Sequence, residues 1–324
     1  NSAGIAIAVN YIENNYQAFV IDSVLKAGEN IIIEAKNLAG IESVSAAAGA
    51  AGDTKVGSVS FNLINNRILA YISSSDLTGG NIKLLASDNS TIKSVSGQVN
   101  FSGSQGLGAA AAYNQISNSI KAYVDKNSTL AQPVLKAGNN IEIQSKSAAS
   151  ISTIGASGSL GSGTAGSATV VINIINNTVS TYVADANVTA GNNIYLLAQS
   201  LNETNSYGGS LGAGAVGLGA AAIVNVLNND TEVYIVSSTV IASGQGSPIE
   251  IPTWNTDGKK LSDQNLNGLF IIAYNKEAIT LYSGTAGIGS NGASGQVSTN
   301  IIINITKAYI ESSTINNDTD KGKL

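Results

Sequence analysis

No cysteine, histidine or methionine occurs anywhere in the 324 residues of this chain. Without Cys there is neither a disulfide framework nor a thiolate metal site, and without His the commonest transition-metal ligand and general base are missing. Zinc and thiol chemistry are thereby excluded, and no metal, cofactor or catalytic residue is expected. Charge is equally scarce, at 11% of residues, and aromatics make up only 5%. The fifteen Lys and the single Arg67 are scattered, the net charge is −5, and the pI is about 4.8. No basic stripe follows a phosphate backbone, so nucleic acid is not an expected partner. The abundance of β-branched residues and the low net charge exclude a charge-solvated disordered tail. No long apolar run exists either. The longest stretch free of strongly polar side chains, Leu211 to Val224, falls short of the ~20 residues a membrane span needs. The chain is not expected to cross a membrane.

What is present is repetition. An Asn stands nine residues before an aromatic six times: Asn10/Phe19, Asn62/Tyr71, Asn114/Tyr123, Asn173/Tyr182, Asn225/Tyr234 and Asn300/Tyr309. The aromatics are 52, 52, 59, 52 and 75 positions apart, so one unit of about 52 residues is written six times with two insertions. Self-similarity at a fixed period means that each unit stacks on its neighbours and buries a shared core. One elongated solenoid over 1–324 is therefore expected rather than two globular domains. The chain opens at Asn1 within a repeat, without an initiator Met or a signal sequence, and is expected to be a piece of a longer protein.

Within a unit, Gly/Asn turn signals such as Gly138–Asn140 and Gly191–Asn193 precede short apolar segments such as Ile141–Ile143 and Ile194–Leu197. The second half is a Ser/Gly-rich passage leading into alternation: Ile5/Ile7/Val9, Val59/Phe61/Leu63, Val170/Ile172/Ile174. Period-two alternation marks strands with one face buried, and no helical periodicity competes with it. The expectation is an all-β, single-stranded parallel β-helix. Because each unit has two loosely similar halves, about two coils per repeat are expected, giving a rod on the order of 55 Å long. If the large alternating residues point inward, the repeated Asn points outward or begins a turn, where it hydrogen-bonds its counterparts or the local backbone.

Several motifs lose their functional meaning once the repeat is recognised. Gly161/Gly163/Gly166, Gly212/Gly214/Gly217 and Gly287/Gly289/Gly292 match a dinucleotide fingerprint, yet each leads into β-alternation rather than a helix. They read as tight turns and close packing between coils. Asp22, Asp76, Asp125 and Asp185 follow the aromatic in successive units. At about 10 Å apart they are too distant for a retaining glycosidase pair, though near the upper limit for an inverting one, and a catalytic site is not normally written four times. Solvated turns are expected there, and the chain is not expected to be an enzyme. Asn-x-Ser/Thr sequons such as those at Asn89, Asn127, Asn176, Asn187, Asn202, Asn229, Asn304 and Asn317 mark expected surface turns.

The period fails near Asn127–Pro133 and within 244–268, and these two places hold all three prolines. The second also carries the only Trp, Trp254, together with Lys259 and Lys260. Insertions into a solenoid emerge as surface loops and often carry function. Trp254, Lys259 and Lys260 are therefore the candidate partner-binding residues, whereas the repeated Asn and aromatic residues are scaffold.

The succession Ala-Tyr-Ile/Val, Ala-Gly-Asn-Asn-Ile, Leu-Leu-Ala, a Ser/Gly-rich passage and Val-Asn-x-Ile-Asn-Asn resembles the repeats of very large bacterial exoproteins. These are the filamentous-haemagglutinin-like adhesins and leukotoxin-like proteins exported by two-partner secretion. The resemblance covers essentially the whole chain outside the insertions. It implies a secreted or cell-surface segment, a stalk presenting adhesive regions to a host or bacterial receptor or glycan. A polysaccharide-active β-helix enzyme and a segment of a secreted toxin acting on host cells are the alternatives.

Overall fold

The computed structural model describes residues 1–251 and 264–316, and every helical or extended element among them is a β-strand. Strands pair in parallel with their counterparts one unit ahead, so the chain is a parallel β-helix. Asn10 lies beside Asn62, Asn62 beside Asn114, Asn114 beside Asn173, Asn173 beside Asn225 and Asn225 beside Asn300. One unit is therefore one coil, not two. The two similar halves of a unit do not stack on each other; they are opposite walls of the same coil. At ~4.8 Å per coil the six coils rise about 30 Å, roughly half the length expected from two coils per unit.

The fourth coil shows the circuit. Ile141–Gly161 runs outward, the chain reverses at residues 162–163, Thr164–Ala184 runs back, and the short strand Asn187–Ala190 closes the loop. The next coil begins with Ile194–Ala213 directly above. Three faces result: an outbound face, a return face and a narrow closing face. In the second and third coils a single long strand, Gly40–Ser73 or Thr91–Asp125, makes most of the outward path and the whole return. A register shift between Ala51 and Asp53 marks the reversal there.

The corner between return and closing faces is left-handed in five coils, at Asp22, Ser74, Asp185, Ser237 and Ser312, with φ between 45° and 49°. Asp tolerates this conformation because its short side chain bonds locally. This corner also separates the four acids. Asp22 and Asp185 occupy it, Asp125 pairs one position earlier with Ser73, and Asp76 pairs with Val24 and Val134. They do not form one row.

Where the closing strand joins the two long walls the coil is wide, and it is filled by large apolar side chains. Ile120, Leu135, Ile141 and Ile143 meet there, all fully buried. Away from this end the two long walls approach each other as a flat wing, and the filling changes. Ser58 Oγ meets Ser96 Oγ at 3.0 Å across the wing, Ser60 meets Ser94 at 3.0 Å, and Ser167 meets Ser210 at 2.9 Å. Hydroxyl-to-hydroxyl contact across opposed sheets leaves little room, and a longer buried side chain such as Gln98 is accommodated opposite a glycine, Gly108. The fingerprint glycines sit at the wing tip. A Cβ on Gly212 would lie 2.1 Å from the Leu218 carbonyl oxygen, so close backbone packing is what these glycines provide.

This geometry inverts the expected facing of the alternating runs. Asn62 and Asn173 are 0% exposed, while Phe61, next to Asn62, and Val170, on the same strand as Asn173, are 37% and 41% exposed. The Asn points inward and the large residues outward, because the wing is too thin to hold the latter. Each Asn side chain donates to the next: Asn10 to Asn62 at 2.8 Å, Asn62 to Asn114 at 2.8 Å, Asn114 to Asn173 at 2.9 Å, Asn173 to Asn225 at 3.1 Å and Asn225 to Asn300 at 2.9 Å. An unbroken amide ladder runs through all six coils. A second internal row, Asn66, Asn118, Asn177 and Asn229, accepts from backbone N–H groups of the coil before. Two sequons, Asn202 and Asn229, are buried in this region, so they are not the surface turns expected of them.

Candidate partner-binding groove

The repeat aromatics form a second ladder on the outside of the return face. Phe19, Tyr71, Tyr123, Tyr182, Tyr234 and Tyr309 stack with ring centroids 4.7 to 5.2 Å apart. Stacking buries the central rings: the Tyr123 phenol is pushed up to about 12, mainly by desolvation, and that of Tyr182 higher for the same reason. These residues hold coils together and present little free polar surface.

Buried carboxyls lie inside the coils. Asp88 accepts from Asn37 at 2.6 Å, Asn118 at 2.7 Å and Ser90 at 2.9 Å. Burial nevertheless raises its pKa, the bonds only partly opposing it. Glu277 accepts from Asn229 at 2.9 Å and Asn202 at 3.2 Å through one oxygen, while its other oxygen has no partner. Desolvation carries its pKa to about 7, against the two hydrogen bonds that lower it. Both groups face the interior and belong to packing. Among the described residues, no three acidic side chains come together as a metal-holding group.

The second insertion flanks a large concavity. Its described part is a small antiparallel hairpin, Ile249–Ile251 against Gln264–Leu266. The feet of the insertion are tied to the Gly-Asn-Asn turn of the coil below. Asn192 Oδ1 accepts from the Gly246 N–H at 3.0 Å, Asn193 Oδ1 accepts from the Gly268 N–H at 2.8 Å, and Asn193 Nδ2 donates to the Ser247 carbonyl at 3.1 Å. Ile251 seals against Tyr195 and Leu197 on the outbound face. The insertion thus folds over the solenoid wall, with its hairpin as one flank of a groove of about 910 Å³.

Three successive coils supply the groove floor through their outward side chains. Glu142 lies below Tyr195, Gln144 below Leu197, and Lys146 below Gln199, with Tyr274 above Gln199. Glu203 and Lys276 line its far side, and Glu250 of the hairpin faces it. Burial lowers the Lys146 pKa, and nearby Lys83 lowers it further, against a smaller opposing effect of Glu142. The groove offers amides, both signs of charge and a Tyr ring, a set suited to a hydroxyl-rich, polar ligand.

Trp254, Lys259 and Lys260 lie outside the described residues. The hairpin that carries their segment does border the groove. The groove residues themselves escape sequence reading, because Gln144, Gln199 and Tyr274 belong to three coils and become neighbours only through the 52-residue stacking and the insertion. The irregular spacing before Tyr309 was the available signal. No helix among the described residues is long and apolar enough to cross a membrane. Compared with protein-family models, curated proteins and solved structures, the chain matches none.

Proposed function

We propose that this chain is a structural and binding segment, a stiff extracellular stalk of a large bacterial surface or secreted protein. The observation that carries the reading is the continuity of the amide and aromatic ladders through every coil. Such ladders fix each coil on the next and make the fold a device for reach, since a solenoid gains length by adding identical circuits. The resemblance to haemagglutinin-like exoproteins supports the same reading and the secreted or cell-surface location. Contact with a receptor or glycan is assigned to the groove and the insertion beside it, where the longer of the two insertions interrupts the regular wall.

The test is a glycan and host-cell binding assay. It compares the intact chain with a variant lacking residues 245–267, a deletion that returns the 75-residue interval to the regular 52. Loss of binding with unchanged circular dichroism is the expected result. Unchanged binding would remove the groove and insertion from the reading. Release of reducing ends from polysaccharide by the intact chain would replace the stalk with an enzyme, and the groove's carboxylates are where that chemistry would then be sought.

A further inference from the structure

Beyond the groove, toward the wing tip, the outbound face carries a separate surface. Register places Val44, Val95, Ile154, Tyr207 and Tyr282 in one outward row across five coils. All five are exposed, and the two Tyr rings stack at 5.5 Å. The next row toward the tip is Ala46, Gly97, Ala156, Gly209 and Gly284, a furrow beside that ridge. Beyond the furrow stand Val99 and Leu211, then a last row that includes Phe101, Leu160 and Ile288. Across these four rows the only polar side-chain atoms are the two Tyr hydroxyls.

The opposite, return face of the wing is less continuous, since Lys55, Gln115 and Thr299 interrupt it. Polar groups bound the outbound patch on both sides. Glu42, Lys93 and Asn205 stand at its inner edge, and Asp53, Gln105 and Ser162 at the tip. An apolar centre inside a polar rim is the anatomy of a protein interface. A wing inserted into lipid would instead have to carry Asp53 into hydrocarbon, at the cost of an unpaired charge.

We propose that this face pairs two copies of the chain, wing against wing, with the Val/Ile/Tyr ridge of one seated in the Gly/Ala furrow of the other. Flat sheets pack face to face when their side chains interdigitate, and a two-fold relation offers the same ridge and furrow from both sides. Five coils at ~4.8 Å and four rows at ~6.6 Å give roughly 630 Å² per copy, about 1,300 Å² in all, within the range of stable interfaces. Tyr207 and Ile154 lie in the middle of the ridge and are the expected anchors. The proposal is independent of what the groove binds, and it would make neighbouring stalks associate laterally.

Sedimentation velocity on the 324-residue chain over roughly 1–100 μM tests it, a window that brackets micromolar association. A concentration-dependent dimer is expected. Ile154→Lys and the milder Tyr207→Ser are each expected to weaken it about tenfold or more, whereas Val170→Lys on the return face leaves it unchanged. Circular dichroism and the melting midpoint confirm that each variant folds. A monomer at every concentration overturns the proposal, as does a dimer indifferent to both ridge variants. Co-sedimentation of monomeric protein with phosphatidylcholine vesicles, lost in Ile154→Lys, overturns it in favour of a lipid surface.

Discussion

The closing end and the wing of each coil are made by the same strands in the same register, yet one is filled with hydrocarbon and the other with hydroxyls and amides. At the closing end three walls enclose a wide space, and Ile120, Leu135 and Ile143 fill it. In the wing two walls face each other closely, and only Ser, Thr, Asn, Ala and Gly fit in quantity, with small apolar insets such as Ala112, Val171 and Ile223. Cross-section width, rather than hydrophobicity alone, decides which parity of a strand turns inward. A polar interior is tolerable because most of its groups bond one another across the walls and along the axis, which offsets the cost of burying them.

That contrast can be broken at its strongest point first. Ile120→Ala empties part of the wide end and is expected to cost about 2–5 kcal/mol in denaturant unfolding. Val170→Ala, an apolar truncation on the outer wing, is expected to stay within about 0.5 kcal/mol. Comparable costs at the two sites would show that the wing's outer residues are packed after all.

A smaller effect is expected inside the wing. Asn114→Ala removes an amide that accepts from Asn62 and donates to Thr153 at 2.8 Å and Asn173 at 2.9 Å, leaving buried partners unpaired. The expected loss is about 1–3 kcal/mol, read as a lowered unfolding midpoint. A neutral result would mean that the ladder records stacking without stabilising it.

The smallest and most conditional effect belongs to Glu277. Its folded pKa of about 7 stands above the usual 4.5, so the folded state holds a proton that the unfolded chain has already released. Stability is therefore greatest below the unfolded pKa and falls as pH rises from about 4.5 through about 7. Allowing for solvent screening of a partly exposed group, the loss is about 1–2 kcal/mol. Glu277→Gln is expected to flatten this decline in melts between pH 5 and 8 without altering the melt at pH 4. A slope unchanged by the substitution would place the titration elsewhere.

Much of this was legible in the residues. The six Asn and aromatic pairs gave the period, and the turn glycines gave the strand starts. The 75-residue interval located the insertion that the structure shows beside the groove. The facing of the strands was not legible, because alternation at period two says that two sides differ and does not say which side is enclosed. One clue did exist. The Asn column is invariant over six coils, while its outward neighbours range over Val9, Phe61, Tyr113, Ile172, Val224 and Thr299. A position that must bond its own copy above and below tolerates less variation than one facing outward.

Sequence by itself determined that this protein repeats, that it is all β, that its coils stack in parallel and where the repeat is interrupted. Those properties follow from local turn chemistry and from period, both of which are written along the chain. Tertiary structure alone decided that one unit closes one coil, that its halves are opposed walls, and that a polar seam lies beneath an apolar exterior. It also assembled the groove and the ridged wing face from residues of different coils. These depend on the distance between walls, which no single segment encodes and only the closed circuit sets.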